Sequence, residues 1–110
     1  MVEAFRVLNP CVDLEAFLHQ VNWDRHAARR QELHGHLHDA QATVADPDFA
    51  IERPDGSIHK YRKGFGTGRL RNLYLLVIEE RHSETLYRVV SAYFTAEIRD
   101  GTLLCLRRLR

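Results

Sequence analysis

Residues 72–96 read NLYLLVIEERHSETLYRVVSAYFTA. Aliphatic and aromatic side chains dominate it, and the pattern predicts strands over about Asn72–Glu79 and Leu86–Ala96. Downstream, Thr102–Arg108 reads as another strand, joined to the previous one through Asp100-Gly101, a short hairpin signal. Upstream, Phe49-Ala50-Ile51 reads as a short strand and Ser57–Lys63 as its return. Between them, Pro54-Asp55-Gly56 forms a turn, because proline presets φ and glycine accepts φ > 0. The glycine-rich loop Gly64–Gly68 has no helix after it to hold a phosphate, so it is not read as a phosphate loop. Nearer the N-terminus the period changes. Asp13 stands as an N-cap before Leu14, Phe17, Leu18 and Val21, which have helical spacing. Asp24 caps a longer predicted helix to about Ala45, with an apolar stripe of Leu33, Leu37, Ala40 and Val44, stopped by Asp46-Pro47. The expectation is an α+β fold, with N-terminal helices packed on one face of a four- to five-stranded antiparallel sheet. A single domain spans 1–110, with residues 1–22 a helical extension and 23–108 the core.

The chain has 110 residues, 45% of them hydrophobic and 28% charged, as in globular domains. The longest apolar run, Leu73–Ile78, is of strand length and far short of the ~18 residues a membrane span needs. The first residues show no secretory pattern, so the chain reads as cytoplasmic. Cys11 and Cys105 read as reduced core residues, and a bridge between them stays open. Charge is uneven. Residues 1–58 carry five arginines against ten acids, a balance of −5, and residues 59–110 carry eleven cations against five acids, a balance of +6. A basic half suits an anionic partner, phosphate above all.

Side chains alternate along Leu86–Ala96, so Val90, Ala92 and Phe94 are expected under the helices and Ser91, Tyr93 and Thr95 on the open face. That row of hydroxyls reads either as an ordinary solvent-exposed face or as a platform for a ligand. His59-Lys60-Tyr61-Arg62-Lys63 interleaves cations with a tyrosine, a composition suited to phosphate and base contact, and Arg69 and Arg71 adjoin it. Arg107, Arg108 and Arg110 at the end read either as added positive potential or as a frayed tail. His34, His36 and His38 suggest a metal, but in a helix His36 points about 200° away from the other two, so no metal site is expected. His26 lies within about 20° of the apolar stripe, where a histidine would be delivered to the sheet edge.

Several of these features resemble the barnase–EndoU–colicin–RelE-like (BECR) nuclease group, its phage-associated members in particular. The matching residues are Trp23 and His26; Arg30-Gln31-Glu32-Leu33; Thr43-Val44 with Pro47-Asp48; Lys60-Tyr61-Arg62-Lys63; Tyr74–Val77; Val90-Ser91-Ala92-Tyr93-Phe94-Thr95; and Gly101 with Leu104. The likeness covers about Trp23 to Leu106. Where the group often shows histidine and then proline, this chain has Arg30-Gln31; where relatives carry threonine before Ala-Tyr, it has Ser91.

The resemblance implies a metal-independent, cofactor-free endoribonuclease, often a toxin, with RNA as substrate and a cognate antitoxin or immunity protein as partner. RNA cleavage by 2′-hydroxyl attack needs a base, an acid and cations for the phosphorane. Lys60 and Arg62 are assigned to charge stabilisation and His26 to acid–base work, with His59 in reserve. Ser91, Tyr93 and Thr95 orient phosphate or contact RNA, and His59, Tyr61, Lys63, Arg69 and Arg71 extend the RNA surface. The alternative is a non-catalytic RNA- or protein-binding module of the same fold.

Overall fold

Seven strands and two helices follow one another in the computed structural model, which describes residues 2–107. Strands β1 (Glu3–Asn9) and β2 (Leu14–His19) lead into helix α1 (Gln20–Arg29); a 3-10 turn, Gln31–Leu33, precedes helix α2 (Leu37–Ala45). Then come β3 (Phe49–Glu52), β4 (Ile58–Arg62), β5 (Tyr74–Arg81), β6 (Leu86–Thr95) and β7 (Thr102–Leu106). The sheet order is β1-β2-β6-β5-β4-β3-β7, antiparallel throughout except for β2 beside β6. The α+β class stands. The sheet is mixed and larger than the four or five antiparallel strands expected.

The first correction is at the N-terminus, where residues 1–22 are no helical extension. Ala16 and Leu18 of β2 enter the core on the helix side while Phe17 is buried against the other face, between the rings of His19 and His82. A strand apolar on both faces reads as an unbroken run, and Leu14, Phe17 and Leu18 within it imitate helical spacing with Val21 of α1. Asp13 is not an N-cap; it sits in the β1–β2 turn at φ 56°.

The long predicted helix is two. Arg30 leaves α1 in an extended conformation, and Gly35 at φ 80° redirects the chain before α2. Leu33, Ala40 and Val44 still bury completely, so the stripe survives the break. Helix α2 ends at Ala45, where Asp46-Pro47 was expected to stop it.

The third correction concerns Asp100-Gly101, which closes no hairpin. Strand β7 pairs with β3 at the far edge. To reach it, residues 96–101 cross the face opposite the helices, where the Arg99 amide donates to the Tyr61 hydroxyl (3.1 Å) and the Arg53 guanidinium donates to the Asp100 carbonyl. Gly101 is required there, since a Cβ would collide with the Ile51 side chain and the Glu52 carbonyl.

The main core lies between the helices and the sheet: Phe5, Trp23, Leu33, Ala40, Val44, Ile58, Leu75, Val77 and Val89 are among its members. A smaller cluster on the other face joins Ile51, Tyr61 and Leu76 with Phe49, Tyr74, Ile78 and Tyr93. Helix α2 packs on β1, β4 and β5. Cys11 and Cys105, expected to be reduced, are joined in a disulfide. No helix among the described residues is long and apolar enough to cross a membrane.

Candidate anion-binding cleft

Strand β2 pairs with β6 only at Leu86, Tyr87 and Arg88. Past Phe17 the chain turns into α1, which lies against the next stretch of β6 in place of a strand. That stretch holds a β-bulge. Ile78 of β5 faces Ser91 and Glu79 faces Val89, which leaves Val90 as the additional residue. The bulge changes the expected alternation: Val89, not Val90, is buried with Ala92, while Phe94 packs partly on the same core. Ser91 and Tyr93 do share the opposite face, Ser91 opposite Ile78 and Tyr93 opposite Leu76.

Between α1 and the bulge lies a cleft of about 440 Å³, lined by Asn22, Arg25, His26, Arg29, Glu80, Arg88, Val89 and Val90. The four helix residues follow at i, i+3, i+4 and i+7, one stripe of α1. Glu80 and Arg88 stand directly opposite each other on β5 and β6. Among the described residues, Arg25, Arg29, Arg88 and Glu80 form no ion pair, whereas Arg6, Arg62, Arg99 and Arg107 each have a carboxylate within 4 Å. Three guanidinium groups and one carboxylate thus line one cleft, a net positive balance with no ion pair within 4 Å among the described residues. Such a site attracts an anion.

His26 is half-buried in this cleft, with Nδ1 enclosed and without a hydrogen-bond partner. Burial holds its pKa below the ordinary 6.5; the Val90 backbone opposes the shift, and the positive charges of Arg30, Arg29 and Arg25 add to it. An anion bound among the arginines reverses the last effect and favours the imidazolium.

His59 is also lowered, by burial first and then by Arg53, with Asp55 opposing. The folded state therefore binds fewer protons than the unfolded chain below pH 6.5. Stability from these two rings is complete above that value and is lost as pH falls through 6.5 toward their folded values. Chemical denaturation at pH 7.5 and 5.5 is expected to show this loss, and a His26→Gln/His59→Gln protein to lose less between the two.

The other expected site residues are elsewhere. Lys60 and Arg62 share a face as expected, but it is the helix-covered one. Lys60 is 0% exposed, with Nζ donating to the Val44 carbonyl (2.8 Å) and lying 2.8 Å from Glu79 Oε2. The Arg62 guanidinium donates to the Asp46 carbonyl (2.9 Å) and lies over Phe65. Both cations satisfy the C-terminal end of α2, a favourable place for positive charge. Arg62 aligns with Leu75 and, through it, Phe94, so it is not joined to Ser91 or Tyr93.

His59 and Tyr61 point to the opposite face, where the Tyr61 ring is buried against Phe49. Lys63 lies over Tyr74, and the Thr95 hydroxyl accepts from the Glu97 amide. Arg69 borders a separate cleft of about 620 Å³ with Gln31, Glu32, Thr67 and Leu70; Arg71 is exposed beside it. Arg107 pairs with Asp46 and Asp48, and Arg108 and Arg110 lie outside the described residues.

Of the expected residues, His26 alone lines the cleft; Ser91 and Tyr93 lie outside its lining, with the Tyr93 ring under the Arg30 guanidinium (5.3 Å). Sequence reasoning missed Asn22, Arg25, Arg29, Glu80 and Arg88. The all-polar stripe of α1 was the available signal for the first three.

Of the three clustered histidines only His38 lies in α2; His34 and His36 precede it at the helix break. His34 Nε2 meets the Ala27 carbonyl (2.9 Å) and His36 Nδ1 meets Asp39 (2.7 Å). Among the described residues no group of three His, Cys, Asp or Glu side chains could hold a metal ion. Compared with protein families, with curated proteins and with solved structures, the chain matches none.

Proposed function

We propose that this chain is a metal-independent endoribonuclease whose working site is the cleft between α1 and the β6 bulge. The observation that carries the proposal is that a histidine and a carboxylate line one cleft with three arginines left unpaired by the fold. Each requirement of 2′-hydroxyl attack has a candidate there. Arg25, Arg29 and Arg88 bind the phosphodiester and offset charge on the phosphorane. The Glu80 carboxylate takes the proton of the attacking 2′-hydroxyl. His26, protonated once the phosphate is bound, gives its proton to the departing 5′-oxygen, leaving a 2′,3′-cyclic phosphate and a free 5′-hydroxyl. Such a donor set, one carboxylate among three guanidinium groups, is unfavourable to a divalent cation. The same uncompensated arginines suit an acidic inhibitor, so a toxin-like role with a cognate antitoxin belongs to this reading.

The test is cleavage of structured and single-stranded RNA with a chelator present. Release of cyclic-phosphate ends is the expected result, and intact RNA at high enzyme concentration is the opposing one. Binding without cleavage would assign the chain to the non-catalytic modules. Binding itself is expected to weaken with salt by about 2 log units per decade, since three phosphate contacts on a single strand each contribute about 0.7. Fluorescence anisotropy between low and high salt measures that slope, and a flat response would remove phosphate contact from the account.

A further inference from the structure

Strands β1 and β7 are the two edges of the sheet, and no backbone pairing joins them, since β1 pairs with β2 and β7 with β3. A covalent bond joins them instead. Cys11, in the β1–β2 turn, is bonded to Cys105 of β7 across 94 residues of sequence, with Cα atoms 5.6 Å apart. Both cysteines are half-buried at the fringe of the main core, within reach of a small reductant.

Elsewhere the hairpin is held by packing, with Phe5, Ala16 and Leu18 in the main core and α2 against β1; toward its turn, the holding contacts are polar and few. Asn9, two residues before Cys11, donates to Glu79 (2.9 Å), and β2 meets β6 over three residue pairs. Strand β2 continues without a break into α1, which carries Asn22, Arg25, His26 and Arg29 into the cleft. The position of the hairpin therefore sets the position of one wall of the cleft.

We infer that the Cys11–Cys105 disulfide is a redox latch, which holds the N-terminal hairpin to the last strand and so keeps the cleft assembled. A dithiol reductant opens it. One thiolate attacks a sulfur of the bridge, a mixed disulfide forms, and the second thiol of the reductant resolves it. Two electrons and two protons pass to the protein, which gains two thiols, while the reductant becomes a disulfide; a disulfide oxidant reverses the exchange. The consequence for RNA rests on the reading of the cleft proposed above, whereas the latch itself does not.

The experiment compares the oxidised protein, the same protein reduced with dithiothreitol, and a Cys11→Ser/Cys105→Ser variant, all without RNA. The oxidised protein is expected to have no titratable thiols. Reduction is expected to lower Tm by more than about 10 °C, given the length of the loop closed. Amide exchange over residues 3–19 should quicken at least 10-fold more than over residues 74–81, with a shift of the His26 ring signals in NMR at constant pH. Two free thiols in the unreduced protein would overturn the proposal, as would equal acceleration of both segments or unmoved His26 signals. If the double variant does not fold, the reduced wild-type chain still decides the matter. Since no readout involves RNA, failure of the nuclease reading leaves these results standing, and the reverse.

Discussion

His26→Ala is expected to lower RNA cleavage by about 10²- to 10⁴-fold and to remove one limb of its pH dependence, as loss of a general acid does. Arg88→Ala is expected to cost about 10²- to 10³-fold, through loss of charge stabilisation on the phosphorane. Arg62→Ala serves as the control. Its guanidinium is engaged at the end of α2, so it should lower stability modestly and leave the cleavage rate of the folded protein within a few fold. The contrast between the two arginines is the informative part. Both are cations on strands of one sheet, but only Arg88 lines the cleft. A large loss for Arg62→Ala with full activity for Arg88→Ala would move the site to the opposite end of the sheet. Steady-state cleavage of a labelled RNA across pH 5 to 9 measures all three.

Lys60→Met is expected to destabilise the protein by about 3–5 kcal/mol, the usual cost of leaving one member of a buried ion pair alone. Lys60 and Glu79 are each 0% exposed. Burial pushes the Lys60 ammonium down and the Glu79 carboxyl up, and their mutual attraction opposes both shifts. The charged pair is maintained by its contacts: Glu79 also accepts from Asn9, and Lys60 also donates to the Val44 carbonyl. These bonds tie β1, β4, β5 and α2 to one interior point. A Lys60→Met/Glu79→Leu protein should recover much of the loss, because both desolvation costs disappear together. Urea denaturation of the four proteins in the cycle gives the coupling directly. Additive losses would mean that the pair is not coupled in the fold.

Much of the architecture was legible in the residues. The turn at Pro54-Asp55-Gly56, the strands on either side of it and the strands around Leu73–Ile78 and Leu86–Phe94 follow from local composition and period. So does the end of α2 before Pro47. His26 does lie on a helix beside the sheet, but its expected angle to Leu33, Ala40 and Val44 assumes one continuous helix, which the break between Arg30 and Gly35 divides. The face carrying Ser91 and Tyr93 was readable from alternation, although its neighbour Val90 was not.

What the residues alone determined about this protein is therefore its class and the place of its central strands. Tertiary structure decided the rest, for a physical reason that differs little from case to case. Periodicity reports how side chains divide between two faces along a single segment; it carries no information about which segment lies alongside. Strand β2 took its conformation from β6, some seventy residues later, since pairing there buries Phe17 on one face and Leu18 on the other. Strand β7 joined β3 rather than its neighbour in sequence, and Lys60 turned from an expected surface cation into a buried partner of Glu79. The cleft depended on the same long-range pairing. Arg25 and Arg29 come from α1, Glu80 from β5 and Arg88 from β6, and only the departure of β2 from β6 leaves room for α1 to bring them to one place.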